Sequence, residues 1–206
     1  VVDISEAGEL SERMRELLDI SILASKRDPF DPMEKALHEA GDRLLHGASY
    51  QHSSWSLTRE YPLSPQLLAV SQAWTTGQDN EIVVGTKGAP EAIAELCHLA
   101  PEDRARLLRE VAALASAGLR VLGVAKARTT DDALPSAHRD LRLTFVGLVG
   151  LEDPIRPTVP SAVTECTMAG VRVVMITGDY PATALSIARQ AGLATGDQVI
   201  TGAELE

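Results

Sequence analysis

Thr177, Gly178 and Asp179 stand directly behind the apolar run Val171–Ile176, and a helical pattern, YPATALSIARQAGL, starts after them. A small hydroxyl, a residue without a side chain and a carboxylate at the end of a buried run suit the handling of an anion. Thr177 offers a donor, Gly178 lets the backbone come close, and the first turn of the next helix leaves N–H groups facing outward. Asp179 could cap that helix, or it could orient a ribose hydroxyl or a hydrated metal. A second group, Asp153 and Arg156 in LEDPIRP, follows another apolar run, LTFVGLVGL. It reads either as an ion pair at a turn or as part of the same mouth. In open parallel sheets, ligands gather beyond the carboxyl ends of the strands, and both groups fall there.

A third candidate is VVGTKGAPEAI. Lys87 ends an apolar run, and Gly88, Ala89 and Pro90 lead into a helix. A cation at a glycine turn beside a helix start suits a polyphosphate or a base ring lying over the turn; the alternative is a solvated lysine. Arg120 opens the run LRVLGVA as a rim residue. Glu34 comes three residues after Asp31 in DPMEKAL, where it completes a capping box with Asp31 at N-cap and Pro32 at the first helical position. Trp55 and Trp74 read as core. The five His have no metal-ligand spacing, so no metal site is expected from protein side chains. Cys97 and Cys166 lie in unlike contexts and read as reduced, buried thiols.

Two kinds of element must position these residues. Up to about residue 142, helical periodicity over Glu9–Lys26, from Asp31, over APEAIAELC and over PEDRARLLREVAALASAG alternates with strands. The strands fall at Ser54–Glu60, Leu67–Trp74, Glu81–Thr86 and LRVLGVAKA, with TTGQDN as a hairpin loop and RTTDDALPSAHRD as a polar, structureless segment. The implied unit is α+β, an antiparallel sheet with helices packed on it. From Leu143 the pattern becomes apolar strand, break, helix, apolar strand (VRVVMI), break, helix. That rhythm implies about half of a doubly wound parallel α/β domain.

The chain has 206 residues, 45% of them hydrophobic, with 19 basic against 29 acidic side chains and a formal charge of −10. This composition argues against a general nucleic-acid surface. No apolar run approaches the roughly 18–20 residues of a membrane span. The start, VVDISEAGEL, is acidic and lacks Met, so a piece of a longer protein is expected.

In order along the chain, DPMEKAL, KGAPE, GLRVL with VGLVGLEDPIRP, and VVMITGDYPATALSIARQAGL resemble the P-type ATPases, the cation pumps that form an aspartyl-phosphate. The resemblance covers the chain from about Glu9 to its end. It implies a nucleotide-binding (N) domain over residues 1–142. Residues 143–206 would then be part of the phosphorylation (P) domain, a haloacid-dehalogenase-like Rossmannoid fold. It implies that Glu34 lies near the adenine, that Lys87 forms the base of the adenine pocket with Gly88 beside it, and that Arg120 reaches the phosphates. Asp153 and Arg156 match the hinge segment. Thr177 matches the threonine that steadies the phosphoryl group, and Gly178 and Asp179 match its neighbours near the nucleotide. ATP with Mg²⁺ is the implied cofactor set. The implied partners are the remaining P, actuator and transmembrane domains of one polypeptide, and the implied location is the cytoplasmic face of a membrane, with the fragment itself soluble. Calcium-type or related bacterial pumps fit best.

Departures from the pattern matter too. The family's Asp-Lys-Thr-Gly-Thr nucleophile motif and its later Thr-Gly-Asp-Gly-x-Asn-Asp segment are not in this stretch, so the fragment alone is expected to be inactive. In EYPLSPQLLAV, Leu63 aligns with a Phe that stacks on adenine in many relatives, and Leu68 with a pocket Lys. Leucine lacks the aromatic face, so weaker or less adenine-selective binding is expected. Two other readings are a soluble haloacid-dehalogenase-type phosphatase, for which only Asp3 is at hand, and a regulatory module that has lost nucleotide binding.

Overall fold

Along Ile82–Gly88, side chains alternate between two covered faces, as the two-residue repeat of a strand requires. Ile82 and Val84 enter one apolar cluster and Val83 the other. This segment is β3, buried at nearly every position. In this computed structural model, which describes residues 9–45, 52–77, 81–130, 134–193 and 199–204, it is the middle strand of a five-stranded sheet ordered β1-β2-β3-β4-β5. β1 is Ser56–Tyr61, β2 Ala69–Thr75, β4 Arg120–Thr129 and β5 Thr144–Leu151. The pairs β1–β2, β2–β3 and β3–β4 are antiparallel. The α+β expectation for this part therefore holds. Asp3 and parts of the TTGQDN and RTTDD segments lie outside the described residues.

Helices α1 (Glu12–Leu23) and α2 (Pro32–Leu44) cover one face. There Ile20, Leu23, Trp74, Val83, Val124 and Val146 form one cluster, with Trp55 half-buried beside it. On the other face, α3 (Pro90–Leu96) contributes Ile93 and Leu96 to a cluster with Tyr61, Ala73, Val84, Leu141 and Leu143. Burying side chains of this size contributes about 1.5–3 kcal/mol each before entropy is charged. The Trp74 indole N–H donates to the Leu23 carbonyl at 2.7 Å, so its one polar atom is satisfied in the core.

Asp31 caps α2 as its sequence predicts, its carboxylate accepting from the N–H groups of Met33 and Glu34. Glu34 departs from the expected capping box. Its carboxylate turns to Lys87 and to the Lys26 backbone N–H. α4 (Pro101–Ser116) is followed by Gly118 at φ +87°, the left-handed stop that glycine takes without steric cost. RTTDDALPSAHRD is less structureless than expected: its end forms a short 3₁₀ turn, His138–Asp140. His138 Nε2 lies 2.6 Å from Ser71 Oγ, which is 2.6 Å from Thr86 Oγ1.

By contacts the chain divides into two compact units, Val1–Ala105 with Leu122–Val149, and Arg106–Val121 with Gly150–Glu206. The second unit holds α5 (Val159–Met168) and α6 (Pro181–Gln190). Here the sequence expectation needs correction. LTFVGLVGL is a strand, β5, but it hydrogen-bonds into the helix-covered sheet. VRVVMI is not a strand: residues 171–177 have no regular structure, and Val171, Val174 and Ile176 are exposed. The physical reason is the lack of a neighbour. An extended segment needs an adjacent strand for its backbone groups, and among the described residues none lies alongside this one. Both cysteines are free and half-buried.

Candidate functional site

Lys87 is the one buried lysine among the described residues, at 7% exposure, and the local sequence explains how it is held. β3 presents Gly85 and Lys87 to the α1–α2 face. At Gly85 the end of α1 lies directly on the strand: a Cβ there would meet Ala24 N at 2.8 Å and Ile20 O at 3.0 Å. That close approach carries Ser25, just past the helix, to the Lys87 ammonium. Lys87 Nζ donates to Ser25 Oγ at 2.5 Å and to Glu34 Oε1 at 2.7 Å. Ser25, 1% exposed, donates its own proton to the Ser21 carbonyl at 2.8 Å, one of the last carbonyls of α1. An ammonium has three donors, so one N–H of Lys87 is left without a partner among the described residues.

The electrostatics are balanced. Burial pushes the Lys87 pKa below its ordinary value; the hydrogen bond and charge of Glu34, and the charge of Asp31, push it back up. One cation faces two nearby carboxylates. Such a group is better suited to an uncharged acceptor than to a dense phosphate charge. Gly88 is obligatory for a different reason: a Cβ would strike the Leu68 carbonyl, which accepts the Ala89 N–H at 2.8 Å and closes the turn into α3.

In the second unit, Thr177, Asp179 and Arg120 come together. Thr177 Oγ1 donates to Asp179 Oδ2 at 2.8 Å and accepts from the Asp179 N–H at 3.1 Å. Arg120 Nε lies 2.9 Å from Asp179 Oδ1. Oδ1 has no directed hydrogen bond, so this contact is charge pairing with the N–H aimed aside. Asp179 is not the N-cap of α6. Tyr180 holds that position, with no side-chain cap. Gly178 has open space where a Cβ would be. Asp153 and Arg156 are exposed and do not pair with each other. Leu63 and Leu68 are exposed at 59% and 53%, so each offers apolar surface to solvent rather than core. Among the described residues no cluster of His, Cys, Asp and Glu could hold a metal ion.

Ser25 and Gly85 were not visible as site residues in the sequence. Nothing in the sequence joins Ser25 to a lysine 62 residues away; that requires the sheet register and the glycine contact.

A helix-covered antiparallel sheet, with a recessed, charge-balanced lysine at a strand end, defines an α+β module. A family model for the P-type ATPase cytoplasmic domain N matches residues 30–158, and the chain belongs to that family. It is 36% identical over 174 residues to the sodium/potassium exporting P-type ATPase cta3 of Schizosaccharomyces pombe, covering 79% of this chain and 17% of that protein. It is 38% identical over 184 residues to a probable cation-transporting ATPase I of Mycobacterium leprae, with coverages of 82% and 11%. Against calcium-transporting ATPase 1 of Bacillus cereus it is 32% identical over 187 residues, with coverages of 85% and 21%. The chain thus spans between a tenth and about a fifth of the length of these relatives. No helix among the described residues is long and apolar enough to cross a membrane.

Proposed function

We propose that this chain binds ATP and delivers it for aspartyl-phosphate formation within a cation-transporting pump. The helix-covered sheet through β5, which ends at Leu151, would be its nucleotide-binding domain, and the stretch after it part of its Rossmannoid phosphorylation domain. The observation that carries the reading is the Lys87 ammonium, recessed beside the Gly88 turn, with one N–H uncommitted among the described residues and its charge already balanced by Glu34. A neutral ring nitrogen of a base fits that donor. Glu34 then acts on the ligand through Lys87, and Leu68 and Leu63 supply greasy walls rather than a stacking ring.

Arg120, Asp179, Thr177 and Gly178 form a separate group suited to phosphate, with a guanidinium, a hydroxyl and an open glycine backbone. Asp153 and Arg156, exposed before α5, take the hinge role. Mg²⁺ would arrive on the triphosphate and supply charge neutralisation, as phosphoryl transfer needs. The cation moved and the membrane concerned belong to parts of the polypeptide outside this stretch. Those same parts, the remaining P, actuator and transmembrane domains, are its proposed partners at the cytoplasmic face.

Isothermal titration of the chain with ATP tests the reading. Measurable binding that Lys87→Gln weakens about tenfold or more supports it, the loss of one charged hydrogen bond being worth about 1.5–3 kcal/mol. Binding that Lys87→Gln leaves unchanged overturns the assignment of Lys87. The absence of any ATP binding favours the regulatory alternative.

A further inference from the structure

Lys87 and Glu34 account for one hydrogen bond of the buried ammonium, and the second goes to a residue that no motif marks. We propose that Ser25 is a positioning residue for the nucleotide: its hydroxyl fixes the Lys87 ammonium so that the remaining N–H is presented to the ligand. This rests on the nucleotide reading above and extends it to a residue outside the motifs that carry the family resemblance.

The geometry supports one orientation of the hydroxyl. Ser25 Oγ sits 2.8 Å from the Ser21 carbonyl, which can only accept, so the Ser25 proton is spent there. The oxygen lone pairs then face Lys87 Nζ at 2.5 Å, and the ammonium must donate. With Glu34 Oε1 on a second N–H, two of three donor directions are set, and rotation about the Cε–Nζ bond is locked. Glu34 alone would leave the ammonium free to swing about a single contact.

The helix end reinforces this. Ser21 O belongs to the last turn of α1, where the unpaired carbonyls carry partial negative charge. Through the Ser25 hydroxyl that negative end is coupled to the cation. Ser25 is 1% exposed and Ser21 equally buried, so water does not compete for either contact. Gly85 is what admits the helix end to the strand, and Lys87 is two residues further along the same face.

The test compares Ser25→Ala, Ser25→Thr and the unaltered 206-residue chain. Two readouts are taken, the pH titration of the Lys87 side chain by NMR and the dissociation constant for ATP by calorimetry. Thermal melts confirm that each variant is folded. In Ser25→Ala the ammonium loses an acceptor, so Lys87 should release its proton at lower pH. ATP should bind roughly three- to tenfold more weakly, the usual worth of one hydrogen bond. Ser25→Thr should restore both. Where threonine does not fit the site and melts early, Glu34→Gln serves as the second variant. It should also lower the Lys87 midpoint, and combined with Ser25→Ala it should lower it further.

A folded Ser25→Ala chain with the Lys87 midpoint and the ATP affinity both unchanged overturns the proposal. So does one whose affinity falls while the Lys87 midpoint stays put, because the loss then does not pass through Lys87. If the unaltered chain binds no ATP, the nucleotide reading fails, whereas the Lys87 midpoint still decides whether Ser25 fixes the ammonium.

Discussion

Arg120 Nε stands 2.9 Å from Asp179 Oδ1, while the other oxygen of that carboxylate takes the Thr177 proton at 2.8 Å. The arginine proposed to meet phosphate is therefore already engaged by an acid on its own unit. A bound phosphate would have to compete with Asp179 for the guanidinium. Asp179→Asn removes the competitor's charge and keeps its shape. It should strengthen binding of tripolyphosphate, by up to roughly fivefold, since a half-exposed ion pair is worth about 0.2–1 kcal/mol. The gain should shrink as salt is raised from low to physiological strength. Calorimetry with tripolyphosphate at two salt concentrations checks both. Weaker binding in Asp179→Asn would mean the carboxylate aids the phosphate rather than competing with it.

Lys87→Met leaves the recessed Glu34 carboxylate without its charge partner and Ser25 Oγ without its donor. The methionine fills similar volume, so the cost is electrostatic more than steric. Loss of a charged hydrogen bond of this kind costs about 1.5–3 kcal/mol. Denaturant unfolding should show it as a lower midpoint with an unchanged slope. Glu34→Gln combined with Lys87→Met should recover part of the loss, because the stranded charge is then gone.

The first of these sites was only half legible in the sequence. The strands and helices before residue 143 follow from hydrophobic spacing and from Asp31, Pro32 and Gly118, whose effects are local. The resemblance implied a pocket lysine at Lys87, but the residues around it were equally consistent with a solvated one, and nothing local showed what covers it. Its cover comes from α1 settling on Gly85, a contact across the fold. Glu34 was legible as an acid at the start of a helix, but its partner was not. The opposite error occurred at Val171–Ile176. The apolar pattern there is strong, yet a strand is a property of two segments, and no second one lies beside it among the described residues. Leu143–Leu151 shows the same point from the other side. Its apolar character fixed the strand and left open which sheet it joins.

His138 gives a pH dependence with a definite sign. Burial first, and the charge of Arg139 second, hold its pKa below the ordinary 6.5. Its Nε2 lies 2.6 Å from the Ser71 hydroxyl and its ring centroid 5.3 Å from that of Tyr61, and neither supplies a negative charge. The folded chain therefore holds this proton less tightly than the unfolded one. Its contribution to stability is complete above pH 6.5 and is lost as pH falls from there through the lower folded value. Melting temperature measured from pH 8 to pH 5 should fall on the acid side in the unaltered chain. In His138→Gln, which keeps an amide for Ser71 and cannot titrate, that part of the fall should disappear. An equally steep fall in both chains would assign the effect to other groups.

Gly85→Ala is the most direct test of how the lysine comes to be covered. A Cβ at this position meets Ala24 N at 2.8 Å and both Ile20 O and Leu23 C at 3.0 Å, all backbone atoms of the α1 end. Backbone cannot rotate away, so the whole helix end must lift from β3. Forcing extra volume into such a contact costs about 1–3 kcal/mol. Because Ser25 follows directly from that helix end, lifting it also lengthens the Ser25–Lys87 hydrogen bond, so ATP binding should weaken along with stability. Gly147→Ala is the matched control. Its added methyl would touch Leu17 side-chain atoms at 3.1 and 3.2 Å, and those can turn aside. It should lower the melting temperature by less and leave ATP affinity unchanged. If Gly147→Ala weakened ATP binding as much as Gly85→Ala, the loss would trace to general destabilisation of α1 and not to the separation of Ser25 from Lys87.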